Sequence, residues 1–151
     1  MRIGWILADK RLINILESVK RSRNIHTSFL DQGILYEYMN SGAFEKYVKK
    51  VKTIYREKYE YIMKLCKKEI PYKYILGDGG LYIFVKLKNI NSRELLKACL
   101  KRKVIFTPGD MFYIDGGGKD TLRLGFSRNS LEEIEKGIRI IGEEALRLMK
   151  N

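Results

Sequence analysis

The sequence predicts an α/β (α+β) chain: a small mixed or antiparallel sheet packed by helices, preceded by one long connecting helix. Three observations carry that class. Residues 43–70 hold an apolar stripe at helical spacing that Pro71 closes. Residues 81–87 and 120–127 alternate sides at period two, and helix caps stand at the head of the segments around them.

Taken in order, "MRIGWILA" reads as a strand, apolar and β-branched. It has no partner strand of its own. Its partner must come from the later segment, from another chain, or from a part of the fold that is absent. Asp9 caps "KRLINILESVKRS", where Leu12, Ile13, Leu16 and Val19 recur at helical spacing. After the polar break "RNIHTSF", Thr27 or Ser28 caps "FLDQGILYEYMN", which stops at Asn40-Ser41-Gly42. The long segment follows, with Phe44, Tyr47, Val48, Val51, Ile54, Tyr55, Tyr59, Ile62, Leu65 and Cys66 on one stripe and lysines opposite. At 1.5 Å per residue it runs roughly 40 Å, too long for one small sheet, so it should connect or brace two bodies.

Beyond Pro71 the rhythm is that of strands. "YKYILGDGGLYIFVKL" turns at 77–80, and Leu81, Ile83, Val85 and Leu87 then share a side. Asn91 or Ser92 caps "SRELLKACLKRK", "VIFTPGDMF" is a short strand running into a Pro108-Gly109 turn, and Gly116-Gly117-Gly118 leads into "DTLRLGFS". Ser130 with Glu133 three residues on is a capping box, and Leu131, Ile134, Ile138, Ile141 and Leu148 form the apolar side of the last helix.

The composition narrows the function classes. A net charge of +12 suits polyanions, yet lysine outnumbers arginine and is scattered through helices, so solvated faces account for it. Cys66 and Cys99 lie far apart inside apolar helical patterns and read as reduced core thiols, and one histidine, His26, makes a histidine metal centre unexpected. No run is long enough to span a membrane and the N-terminus lacks a signal-peptide layout, so cytoplasm is the expected compartment. There is no HExxH, Walker or GxSxG motif, and the triple glycine precedes a strand where a phosphate loop would open a helix.

Arg123 is the strongest chemical signal. Leu122, Leu124 and Phe126 share one face of its strand, and Arg123 and Gly125 take the other. An inward arginine must satisfy five donors. An ion pair with Glu94 or Asp110, or a solvent-facing edge strand, would meet that need. So would a ligand carboxylate gripped by two parallel hydrogen bonds, with Gly125 leaving room for it.

"RIGWILA", the segment from "FLDQGILYEYMN" to "REKYEYI", "GDGGLYIFVKL", "VIFTPGDMF" and "DTLRLGFS", in that order and spacing, resemble the C-terminal part of fold-type I, pyridoxal-phosphate-dependent aminotransferases of class I/II. The nearest branch holds 2-aminoadipate-type aminotransferases and the effector domains of MocR-type, GntR-family regulators. The resemblance implies that residues 1–43 are a remnant of the large, cofactor-binding domain, and that residues 44–151 are the connecting helix and the small domain. It implies a substrate α-carboxylate at Arg123, a substrate entrance lined by Gly79, Gly80 and Tyr82 in the "DGGLY" turn, and a cofactor phosphate at Arg2 and Gly4. The small-domain turn motif falls on Phe106, Pro108, Gly109 and Phe112.

It further implies pyridoxal 5'-phosphate in the intact parent and none bound by this chain alone, because the Schiff-base lysine would precede Met1. No catalytic residue is therefore expected within the chain. The implied activity is transfer of an amino group between an amino acid and a 2-oxo acid, and the alternative is a ligand-sensing domain of a regulator. Nucleic acid would then be met only through a missing N-terminal domain. Domain surface left open predicts a homodimer or a swap, and Trp5 should pack on the missing domain.

Overall fold

The computed structural model describes residues 2–150. Residues up to Val51 form one compact unit and residues from Lys52 a second.

In the first unit, α1 (Lys10–Arg23) starts where Asp9 Oδ1 accepts from the amides of Arg11 and Leu12, at 3.0 and 3.1 Å. Ser28 caps α2 (Phe29–Asn40) by accepting from the Asp31 amide, and Gly42, at φ +70, turns the chain into α3 (Ala43–Glu69). These are the helices and caps that the sequence predicts. Neither α1 nor α2 buries a single residue.

Residues 2–9 form no strand, contrary to expectation. A strand exists only through hydrogen bonds to a neighbour, and the described residues of this unit contain no other strand. Trp5 and Leu7 stay 84% and 88% exposed. The stripe on α3 is likewise used unevenly: Ile62, Leu65 and Cys66 are buried, whereas Tyr47 and Ile54 are exposed.

The second unit is a sheet with helices on one face. β1 (Tyr72–Leu76) and β2 (Tyr82–Leu87) form the expected hairpin, and β4 (Thr121–Gly125) pairs with β2 on one side and with β3 (Thr107–Pro108) on the other. The order is β1-β2-β4-β3 and every pairing is antiparallel. The strand expected over "VIFTPGDMF" shrinks to two residues, because Pro108 removes a donor and the chain winds at once into a 3-10 helix (Gly109–Phe112).

Alternation decides what each face holds. Ile83, Val85 and Leu87 of β2 and Leu122 and Leu124 of β4 turn inward onto Ile62, Leu65 and Cys66 of α3, Leu95 and Cys99 of α4 (Ser92–Lys101), and Ile134, Ile138 and Ile141 of α5 (Leu131–Lys150). Asn91 caps α4, and Ser130 and Glu133 close the capping box of α5 with bonds of 3.2 and 2.7 Å. Gly142 sits in α5 because a Cβ there would fall on the Glu69 carbonyl oxygen at the end of α3. Tyr61 adds a tie between these helices, donating to Glu135 at 2.7 Å, and that bond raises its pKa.

Candidate functional site

The outer face of the sheet carries the residues that the inner face cannot, and Arg123 stands near its centre. It lies opposite Phe84 of β2 and Thr107 of β3 in register. Its guanidinium carbon is 4.3 Å from the Tyr82 ring centre and 4.6 Å from that of Phe112, both within cation–π reach. Phe112 in turn meets Phe84 edge-on at 6.0 Å. Gly125 faces Tyr82 across the strands, and a Cβ there would stand 3.2 Å from the Tyr82 ring. The glycine thus leaves the ring space to lie toward Arg123.

Neither internal ion pair open to Arg123 is made. Asp110 is taken by Arg93 at 2.6 Å, and Glu94 is exposed at the start of α4. Asp120, three residues before Arg123, pairs with Lys86 at 3.3 Å, and that hydrogen bond raises the Lys86 pKa. Among the described residues no carboxylate lies within ion-pair distance of Arg123, and its Nε is buried without an acceptor. A guanidinium with a buried Nε, seated on two rings and without an ion-pair partner among the described residues, has the chemistry to accept a planar anion.

The other expected site residues divide between the two units. Gly79 and Gly80 form the turn that feeds Tyr82 into β2, and Gly80 holds φ +77, a conformation that favours glycine. Arg2 and Gly4 belong to the first unit, exposed and outside any helix or strand. No heavy atom approaches within 4 Å of where a Gly4 Cβ would stand. His26 is exposed, its Nδ1 3.2 Å from the Thr27 carbonyl. Phe112 is legible in the sequence as part of a turn motif, but its contact with Arg123 is not. The spacing of "FTPGDMF" marks the turn, but which ring meets the arginine depends on pairing between β3 and β4.

Other features offer less to an anion. A groove of about 360 Å³ between residues 102–105, Gly125 and α5 has an apolar floor of Ile62, Leu124 and Ile138. Its Arg102 is already held by Glu143 at 2.6 Å and by Glu144 at 3.3 Å. Both thiols are buried and unpaired, burial pushing Cys66 up to about 12 and Cys99 to about 11. They are inert at neutral pH. No group of three or more metal-ligating side chains occurs among the described residues, and no helix is long and apolar enough to cross a membrane.

Comparison with known proteins agrees with the fold. The chain is 29% identical over 145 residues to the 2-aminoadipate transaminase of Thermus thermophilus, covering 94% of this chain and 36% of that enzyme. It is 29% identical over 153 residues to the HTH-type transcriptional regulator YisV of Bacillus subtilis, covering 99% of this chain and 31% of the regulator. The crystal structure of LysN, the α-aminoadipate aminotransferase of Thermus thermophilus complexed with N-(5'-phosphopyridoxyl)-L-leucine, superposes with a TM-score of 0.81 at 28% identity, over 95% of this chain and 38% of that one. The chain thus spans about a third of the length of these relatives. With residues 1–141 matching the family model for aminotransferase class I and II, the chain belongs to the class I and II aminotransferases.

Proposed function

We propose that this chain is the carboxylate-recognising part of a pyridoxal-phosphate-dependent aminotransferase that moves an amino group between an amino acid and a 2-oxo acid. The observation that carries the reading is Arg123, a half-buried cation on the outer face of the sheet, seated on two rings and in no ion pair among the described residues. Both substrates of a transamination present a carboxylate beside the reacting carbon. An arginine that grips it by two parallel bonds sets the orientation of that carbon for the chemistry. Gly79, Gly80 and Tyr82 then border the entrance, and Tyr82 contributes a wall to the arginine itself.

Pyridoxal phosphate supplies the electron sink when bound. Arg2 and Gly4 are what this chain offers its phosphate, and as they stand they do not enclose one: Arg2 is exposed and nothing packs around Gly4. No step of the reaction is therefore assigned to them. Residues 1–43 are read as large-domain structure and residues 44–151 as the connecting helix and small domain. The exposed Trp5, Leu7 and Phe29 support that division, being apolar surface that a larger fold would cover. The complete protein is read as a cytoplasmic homodimer.

A second reading has its own support. The match to a transcriptional regulator over 99% of this chain fits a ligand-sensing domain in which Arg123 binds the same carboxylate without turnover. Titration of the chain with alanine and with pyruvate, followed by NMR, tests the shared core of both readings. Both compounds should shift the Arg123 region saturably, and Arg123→Gln should abolish the response. Equal binding by that variant would remove the site. Transamination by the complete protein separates enzyme from sensor.

A further inference from the structure

We propose that Phe112 is a positioning residue for Arg123: its ring, with that of Tyr82, seats the guanidinium so that a carboxylate docks end-on at the two Nη nitrogens. This rests on the carboxylate reading above and adds the geometry of capture. A guanidinium can present either its Nε edge or its Nη end to a carboxylate, each with two parallel N–H groups. Here the Nε is buried and finds no acceptor among the described residues, so the edge is closed and the end remains. Two ring centres at 4.3 and 4.6 Å compensate the charge for lost water without supplying a competing anion.

The placement of Phe112 is built rather than incidental. Its 3-10 helix begins at Gly109, which lies so close to Thr121 that a Cβ would overlap the threonine hydroxyl. Thr121 is fully buried and tied twice to the Gly118 carbonyl, by its hydroxyl at 2.6 Å and its amide at 3.0 Å. Arg123 is two residues along the same strand, so one anchor sets both the arginine and the turn that carries the ring. Phe84 then supports the ring from β2.

The test is the Arg123 Nε–H resonance of the full chain in 15N NMR, assigned by its loss in Arg123→Gln. The wild-type proton should exchange slowly with water, and Phe112→Leu should speed that exchange by about tenfold or more. With sodium acetate as probe, at ionic strength matched by sodium chloride, Phe112→Leu should weaken binding about fivefold, the scale of one cation–π contact. Phe112→Tyr, which keeps the ring, should behave as wild type in both. Phe112 is 47% exposed, so the melting temperature should hardly move and folding loss does not confound the result. Unchanged exchange in Phe112→Leu, or equal loss in Phe112→Tyr, overturns the proposal. A wild-type resonance that ignores acetate removes the carboxylate reading, while the exchange ratio still decides whether the ring seats the arginine.

Discussion

The two units differ in what holds their helices in place. In the first, Asp9 and Ser28 satisfy the leading amides of α1 and α2, yet no residue of either helix is buried, and Phe29 and Ile25 are 86% and 84% exposed. In the second, caps of the same kind at Asn91 and Ser130 head helices whose apolar sides close over Leu95, Cys99, Ile134, Ile138 and Ile141. The difference teaches that a cap and a periodic pattern specify where a helix begins and which side is apolar. Most of the helix's stability comes from covering that side.

The sharpest way to break this contrast is native-state hydrogen exchange. Amides in β2 and β4 should exchange at least about a thousandfold more slowly than those of α1 and α2, since only the former open with the core. Comparable protection in the first unit would mean that something covers it. Next in size is a matched pair of truncations. Leu122→Ala removes a fully buried side chain and should cost about 2–5 kcal/mol in urea unfolding, while Ile15→Ala, 62% exposed, should stay within about 0.5 kcal/mol.

The buried thiols extend the contrast to pH. Their folded pKa values lie above the ordinary value of 9.0, at about 12 for Cys66 and about 11 for Cys99, so the unfolded chain gives up these protons first. Their contribution is complete below pH 9 and is lost as pH rises through 11 and then 12. Chemical denaturation should show stability falling by about 1.4 kcal/mol per thiol per pH unit inside that window. The smallest effect sharpens the role of caps. Ser130→Ala should lower the cooperative melting point by the equivalent of about 1 kcal/mol, whereas Asp9→Ala should reduce helical circular dichroism without moving that transition. Equal shifts from both would join α1 to the core.

The fold is most legible in the sequence where interactions are short-range. Asp9 and Ser130 cap their helices as expected, Ser28 and Asn91 are the caps where two residues were open, α3 ends before Pro71, and Ile83, Val85 and Leu87 turn inward, whereas Leu81 stays half-buried in the turn before β2. The expectation fails at residues 2–9, where β-branched residues promise a strand that only a distant partner can supply, while "VIFTPGDMF" keeps its short strand before the turn, though at only two residues. The site shows the same limit. The identity of Arg123, the space at Gly125 and the "DGGLY" turn were legible, and the acids open to the arginine could be named. That Asp110 goes to Arg93, Asp120 to Lys86 and the Phe112 ring to Arg123 could not.

A helix bonds each amide four residues back and its cap reaches two or three residues on, so the sequence by itself determined where helices α1 to α5 run and which faces of β2 and β4 turn inward. The pairing of β4 with a two-residue β3, the anchoring of Gly109 on Thr121 and the diversion of Asp110 to Arg93 join residues distant along the chain. Only the tertiary structure decided these. Such contacts depend on which partners the closed sheet and core bring together, and no local pattern encodes that choice.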